Sequence, residues 1–264
     1  LWPAWLLAGD YPFVFRDTAQ EVGLYPAIAG IVGHSAAWGD VDGDGWPDLY
    51  IGTFRANGPK ANLFFRNQKG RFTLDEQPAL QVAGCASGMA FPDLDNDGDP
   101  DALVVNLNNA RIEFRNGTNA LLRNEGGGRF TDVSVGSAVC PPRFAARSVA
   151  ASDFNGDGLL DLLIGEDPWY GTRYRTRLFY NLGEWRFEEC RGKDGLPTNM
   201  PAVGLAAADV NEDGWPDFFV ASRAGGDRLF LNDGQGRFRP SGIPDAVFAW
   251  SVVERLDTSA GVSF

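Results

Sequence analysis

The sequence predicts an all-β fold: a β-propeller of four-stranded blades, with four complete blades and partial blade material at both termini. Three observations carry that expectation. An acidic pattern recurs at residues 40–48 (DVDGDGWPD), 93–101 (DLDNDGDPD), 153–161 (DFNGDGLLD) and 209–217 (DVNEDGWPD). Its flanks recur with it. Small apolar runs precede it ("HSAAWG", "SGMAFP", "RSVAAS", "VGLAAA") and β-prone runs follow it ("LYIG", "ALVV", "LLIG", "FFVA"). The period of roughly 55 residues is that of a solenoid or propeller unit, and no helical period is sustained.

Each unit reads as four short strands, a to d. Strand a is the small apolar run, the acidic pattern is the a–b turn, and strand b follows directly. Strand c is "NLFFRN", "ALLRN", "RLFYN" or "RLFLN"; strand d is "GRFTLDE", "GRFTDVS", "WRFEECR" or "GRFRPSG". The c–d links "NQKG", "NEGGG" and "NDGQG" have hairpin-turn chemistry. Four strands per unit match a propeller blade, whereas a parallel β-helix has much shorter coils. The blades are expected at 33–83, 84–140, 141–197 and 198–247, within a single domain. Residues 13–24 resemble a strand d, so the chain begins inside a blade. Residues 248–264 supply part of another, with either "SAGVSF" or "SVVERLD" as its strand a. The expected ring is then completed by further blades, by further copies, or by the two partial ends meeting.

Composition sets outer limits. The chain has 264 residues, 44% hydrophobic, with 33 glycines and 16 prolines, which is a globular, turn-rich balance. A net charge of −12 disfavours nucleic acid as a partner. No apolar run approaches the ~20 residues of a membrane span, so no membrane insertion is expected. "LWPAWLLAG" at the start is short and has no basic segment before it; it reads as a packed segment rather than the remnant of a processed precursor. Cys85, Cys140 and Cys190 form no CxxC pair, which argues against zinc. One disulfide plus a thiol, or no disulfide, are both open.

The acidic turns carry the chemistry. Asp-x-Asp/Asn-x-Asp-Gly-x-x-Asp places oxygen donors at positions 1, 3, 5 and 9, with a backbone carbonyl at position 7 and glycine at the sharp reversal. The expected metal ligands are Asp40, Asp42, Asp44, Trp46 and Asp48 in loop one, and Asp93, Asp95, Asp97, Asp99 and Asp101 in loop two. Loop three offers Asp153, Asn155, Asp157, Leu159 and Asp161; loop four offers Asp209, Asn211, Asp213, Trp215 and Asp217. An all-oxygen, flexible cage suits calcium better than magnesium. About four Ca²⁺ ions are expected. Asn155 and Asn211 carry less charge than aspartate, so loops one and two should bind first. An EF-hand is excluded on two grounds. Position 12 is Ile51, Val104, Ile164 or Val220 rather than glutamate, and a strand follows rather than a helix.

These motifs resemble the FG-GAP/VCBS repeat family, the calcium-loop propellers typified by the integrin α-subunit headpiece. "FRDTAQEVGL", "LLRNEGGGRFTDVS" and "RSVAASDFNGDGLLDLLIG" are most similar to the branch that includes cartilage acidic protein and its bacterial relatives. The resemblance covers about residues 13 to 240. It implies a secreted or cell-surface protein, extracellular or periplasmic, in which calcium is structural and the propeller mediates adhesion or recognition; some members are fungal lectins. The seven-bladed ring it implies would need roughly 390 residues at this period.

With the a–b turns on one face, the b–c links lie on the other. There Trp169, Tyr170, Arg173, Tyr174 and Arg175 form the densest aromatic and basic group, and Arg111, Phe114 and Arg115 a second. Such residues favour a protein or glycan partner. Asn116-Gly-Thr118 is a glycosylation sequon. No enzyme is expected: His34 is the single histidine, and no GxSxG, P-loop or GxGxxG pattern occurs. Glu166, Asp167 and Asp194 lie outside the acidic turns. They keep open the alternative of a carbohydrate-active hydrolase, or a lectin-type accessory module of a polysaccharide-degrading enzyme.

Overall fold

The computed structural model describes residues 15–53, 61–82, 84–107, 118–142, 144, 146–166, 175–190, 195–222 and 226–248. They form four antiparallel four-stranded sheets, each built in chain order. Blade 1 contains β1 (Gly33–Gly39), β2 (Asp48–Thr53), β3 (Leu63–Gln68) and β4 (Arg71–Leu74). Blade 2 contains β5 (Ala86–Ala90), β6 (Ala102–Asn106), β7 (Ala120–Asn124) and β8 (Phe130–Asp132). Blade 3 contains β9 (Ala146–Ser152), β10 (Asp161–Glu166), β11 (Thr176–Asn181) and β12 (Phe187–Glu189). Blade 4 contains β13 (Gly204–Ala208), β14 (Asp217–Ala221), β15 (Arg228–Asn232) and β16 (Phe238–Pro240). The first strands β1, β5, β9 and β13 meet in succession, as the inner strands of propeller blades do.

Strands b and c are apolar at nearly every position because each blade packs face to face against its neighbours, blades 2 and 3 on both sides. Side chains alternate across a strand, and here both faces are buried. Ala102 and Val104 of β6 face blade 1, where they pack with Val41, Tyr50 and Phe64. Leu103 and Val105 face blade 3, with Leu162, Ile164 and Phe179. Between blades 3 and 4, Leu163 and Leu178 meet Leu205, Phe218 and Phe238. Burying each such side chain contributes roughly 1.5–3 kcal/mol. The far face of blade 1 has no described blade beside it. Leu24, Ala27, Ile28 and Ile31 pack there against Leu49, Leu63 and Phe65. Where a strand d was expected, residues 15–18 are irregular and 19–23 form turns; the Phe72 N–H donates to Val22 O at 2.7 Å, so this segment lies against β4 without the strand's ladder. Residues 13, 14 and 249–264 lie outside the described residues.

Two sets of hydrogen bonds tie blade to blade. Serines on the inner strands donate to the next blade: Ser35 to Ala86 O (3.2 Å), Ser87 to Ala146 O (2.8 Å) and Ser148 to Ala202 O (2.9 Å). The approach is close enough that a Cβ on Gly165 would stand 2.5 Å from Ala202 Cβ, which explains the glycine ending "LLIG". The second set comes from the last residue of "RN", "YN" and "LN" on strand c. Asn124 Nδ2 donates to Val41 O (2.8 Å), Asn181 to Leu94 O (2.7 Å) and Asn232 to Phe154 O (3.0 Å). Each acceptor is position 2 of the acidic loop in the preceding blade. No disulfide joins Cys85, Cys140 and Cys190.

This second set yields a stability prediction. Asn181→Ala leaves the buried Leu94 carbonyl, the part-buried Leu160 carbonyl and the Gly183 N–H without their partner. It should lower the unfolding free energy by about 2–4 kcal/mol in urea titration. Asn67→Ala removes the bond to Pro47 O and the one from the Gly70 N–H, both within blade 1, and should cost about 1–2 kcal/mol. Equal losses would show that the interblade bond contributes nothing.

Candidate metal centre

Each acidic turn closes an a–b hairpin, and the aspartate at position 9 sits where strand b begins. Gly39 pairs with Asp48, Ser152 with Asp161 and Ala208 with Asp217. Asp48, Asp101, Asp161 and Asp217 are wholly buried. Both oxygens of each carboxylate accept a backbone N–H. One comes from position 2 of the same loop: Val41 (3.3 Å), Leu94 (2.9 Å), Phe154 (3.0 Å) and Val210 (3.2 Å). The other comes from the strand-c asparagine: Asn67 (2.7 Å), Asn124 (2.8 Å), Asn181 (2.9 Å) and Asn232 (2.8 Å). Those asparagines also donate to the position-8 carbonyls Pro47, Pro100, Leu160 and Pro216.

The rest of the loop folds around position 1. Asp40 Oδ2 accepts the Gly45 N–H, and its Oδ1 accepts that of Asp44. Asp93 accepts from Gly98, Asp153 from Gly156, Asp157 and Gly158, and Asp209 from Asp213 and Gly214. The glycine at position 6 has φ of 88°, 92°, 88° and 90° in the four loops, a backbone geometry that favours glycine. Position 7 donates its N–H to the position-5 carboxylate: Trp46 to Asp44, Asp99 to Asp97, Leu159 to Asp157 and Trp215 to Asp213. The ring of Trp215 also lies over Gly156 of the neighbouring loop, where a Cβ would come within 2.7 Å of it.

Carboxylate oxygens converge in two of the four loops. Those of Asp40, Asp42 and Asp44 lie within 4.8 Å of one another, as do those of Asp93, Asp95 and Asp101. In loops three and four the asparagine amide turns to the position-5 acid: Asn155 donates to Asp157 (3.0 Å) and Asn211 to Asp213 (2.9 Å). In loop two, Asp93 Oδ1 and Asp95 Oδ1 are buried and accept no hydrogen bond. The electrostatics match that crowding. Burial, and then neighbouring aspartates, hold Asp48 up at about 6 and Asp101 and Asp161 at about 7. Asp95 is raised by burial and then by Asp97 and Asp93. Each turn therefore gathers three to five aspartates around one wholly buried carboxylate, with Arg66 beside loop one as a neighbouring cation, and a cation is what such a donor set accommodates.

Other expected site residues fall elsewhere. Of the partner group, Arg175 alone is described: it is exposed, with Nε 3.9 Å from Glu166. Arg111, Phe114, Arg115, Trp169, Tyr170, Arg173 and Tyr174 lie outside the described residues, as do Asn116, Asp167 and Asp194. Glu166 also pairs with Arg177 (3.4 Å), which in turn holds Glu189 (2.6 Å) and stacks over Phe144. His34 stands on β1 with a ring nitrogen 3.1 Å from Arg147.

The repeats have counterparts among known proteins. The FG-GAP-like repeat matches residues 40–104, 105–164 and 209–254, more than half of the chain and all four acidic turns. Human cartilage acidic protein 1 is 26% identical over 214 residues, covering 77% of this chain and 32% of that protein. Integrin alpha pat-2 of Caenorhabditis elegans is 25% identical over 235 residues, covering 76% of this chain and 18% of that protein. The chain thus spans no more than about a third of the length of these relatives. Among solved structures, the rhamnogalacturonan lyase YesW overlaps 81% of this chain and 43% of its own, at 15% identity and a TM-score of 0.46. By its repeats and their acidic turns, the chain belongs to the FG-GAP-like repeat family.

Proposed function

We propose that the protein is an extracellular or cell-surface recognition scaffold whose blades are stabilised by calcium. The observation that carries the calcium reading is the pair of buried, unpartnered oxygens, Asp93 Oδ1 and Asp95 Oδ1, beside the buried Asp101. A buried acceptor left unmade is strongly unfavourable, and a hard cation satisfies several at once. The side chains at positions 1, 3, 5 and 9 would hold the ion together with the position-7 carbonyl. In loops three and four the Asn155 and Asn211 carbonyl oxygens would take part. The ion supplies positive charge to a chain of net charge −12; four calcium ions would bring it to about −4.

The scaffold reading draws on the family and on relatives named integrin alpha and cartilage acidic protein. The b–c face, with Trp169, Tyr170 and the arginines around them, is the surface offered to a protein or glycan partner. The role proposed for it is binding without turnover; of Glu166, Asp167 and Asp194, Glu166 is the one among the described residues, and it pairs with Arg177.

Chelation tests the calcium reading. Sites of extracellular type bind at ~10⁻⁴–10⁻³ M. At tenfold excess each contributes about 1.4 kcal/mol, so four sites contribute roughly 5–6 kcal/mol. Adding EGTA should lower the melting temperature by ten degrees or more, about the shift such a loss produces; an unchanged melt contradicts the reading. For the partner face, the double variant Trp169→Ala/Tyr170→Ala should lose binding on a glycan or matrix-protein array while keeping its EGTA-sensitive melt. Retained binding removes this face.

A further inference from the structure

Charge counting treats loops one and two alike, since both carry aspartate at positions 1, 3, 5 and 9. Their surroundings differ. We propose that loop two is the protein's highest-affinity calcium site and that Arg66 is a built-in counter-ion that holds down the affinity of loop one. This rests on the calcium reading above.

Arg66 precedes the strand-c asparagine of blade 1. Its Nη1 lies 3.2 Å from Asp42 Oδ2, the position-3 donor, and 4.0 Å from Asp48, the position-9 anchor. The guanidinium is held from other sides too. Its Nε donates to Asp75 (3.1 Å), its Nη2 donates to Gly127 O (3.2 Å) and Gly128 O, and it lies 5.2 Å from the centre of the Phe64 ring. Only 15% of its side chain is exposed. It is therefore a fixed charge reaching from blade 1 to the c–d turn of blade 2, with Asp42 as one of its anchors. A divalent ion entering loop one meets this cation a few ångströms away and must draw Asp42 from it. Repulsion of that kind weakens binding by about tenfold or more even at high dielectric.

Loop two has no such occupant. The matching residue, Arg123, pairs with Glu125 through its Nε at 2.8 Å, and its charge reaches Asp95 and Asp101 only at longer range. Loop two also carries a fifth aspartate, Asp99, and keeps its two unpartnered oxygens. In blades 3 and 4 the matching residues are Tyr180 and Leu231, which bring no charge, but position 3 there is Asn155 or Asn211.

Isothermal titration of calcium into the EGTA-stripped, dialysed full chain tests this. The tightest step should weaken in Asp95→Asn to the level of loops three and four, which carry asparagine at that position, and survive unchanged in Asp42→Asn. Arg66→Gln should tighten one weak step about tenfold or more, whereas Arg66→Lys, which keeps the charge, should not. Loss of the tightest step in Asp42→Asn, or an unchanged isotherm for a folded Arg66→Gln, overturns the inference while leaving calcium binding intact. The Asp42→Asn and Asp95→Asn pair decides the matter even where Arg66→Gln fails to fold. No calcium step at all in the wild type is a distinct result, which removes the underlying reading and this inference with it.

Discussion

A buried carboxylate at the foot of the second strand of every blade is the constraint on which the rest of the structure depends. An ionised group with no exposure is unfavourable unless its oxygens are occupied. Here each oxygen of Asp48, Asp101, Asp161 and Asp217 takes one backbone N–H, from the loop on one side and from strand c on the other. In blades 2 to 4 the asparagine that supplies the second N–H also turns its side-chain amide to the preceding blade. A single local motif thereby fixes the turn, the b–c pairing and, in blades 2 to 4, the spacing between sheets. Position 2 completes the relay. In Val41, Leu94 and Phe154 the side chain is buried in the interblade core, the N–H goes to the aspartate, and the carbonyl goes to the next blade's asparagine.

This arrangement explains why an acidic turn belongs at this place in a blade. Nearest-neighbour contacts carry the stability of a repeat array, so any device that stiffens one turn is felt at the adjoining interface. Stiffening the loop fixes position 2, and position 2 is shared with the next sheet. The terminal blades show the same logic by contrast. Val210, in blade 4, is 40% exposed, and blade 1 is covered on its far face by residues 24–31 instead of a described sheet.

Much of the architecture was legible because the repeat is written several times. The four acidic turns, the strand after each and the hairpin links all stand where their patterns indicate, and glycine at position 6 adopts the positive φ that its place demanded. What stayed hidden was long-range. The recurring asparagine at the end of strand c was visible as a pattern, but its hydrogen bond to Val41, Leu94 or Phe154 crosses between blades, and spacing along one strand does not reveal that. Arg66 and Arg123 look identical in "RN" contexts. They differ because Arg123 has Glu125 two residues on, while Arg66 has Asp42, Asp75 and the Gly127–Gly128 carbonyls around it. The spacing marks position 9 as a ligand; its larger task, accepting two backbone N–H groups, depends on burial that composition does not report.

Amide hydrogen exchange measured by NMR tests the relay most directly. If the buried carboxylates organise the fold, the N–H groups of Leu94, Phe154, Asn124 and Asn181 should exchange only through global unfolding, as slowly as the central strand amides, although two of them lie in surface turns. Exchange at the rate of the exposed Gly43 or Gly158 amides would contradict the account, for it would mean that these bonds open while the blades stay folded.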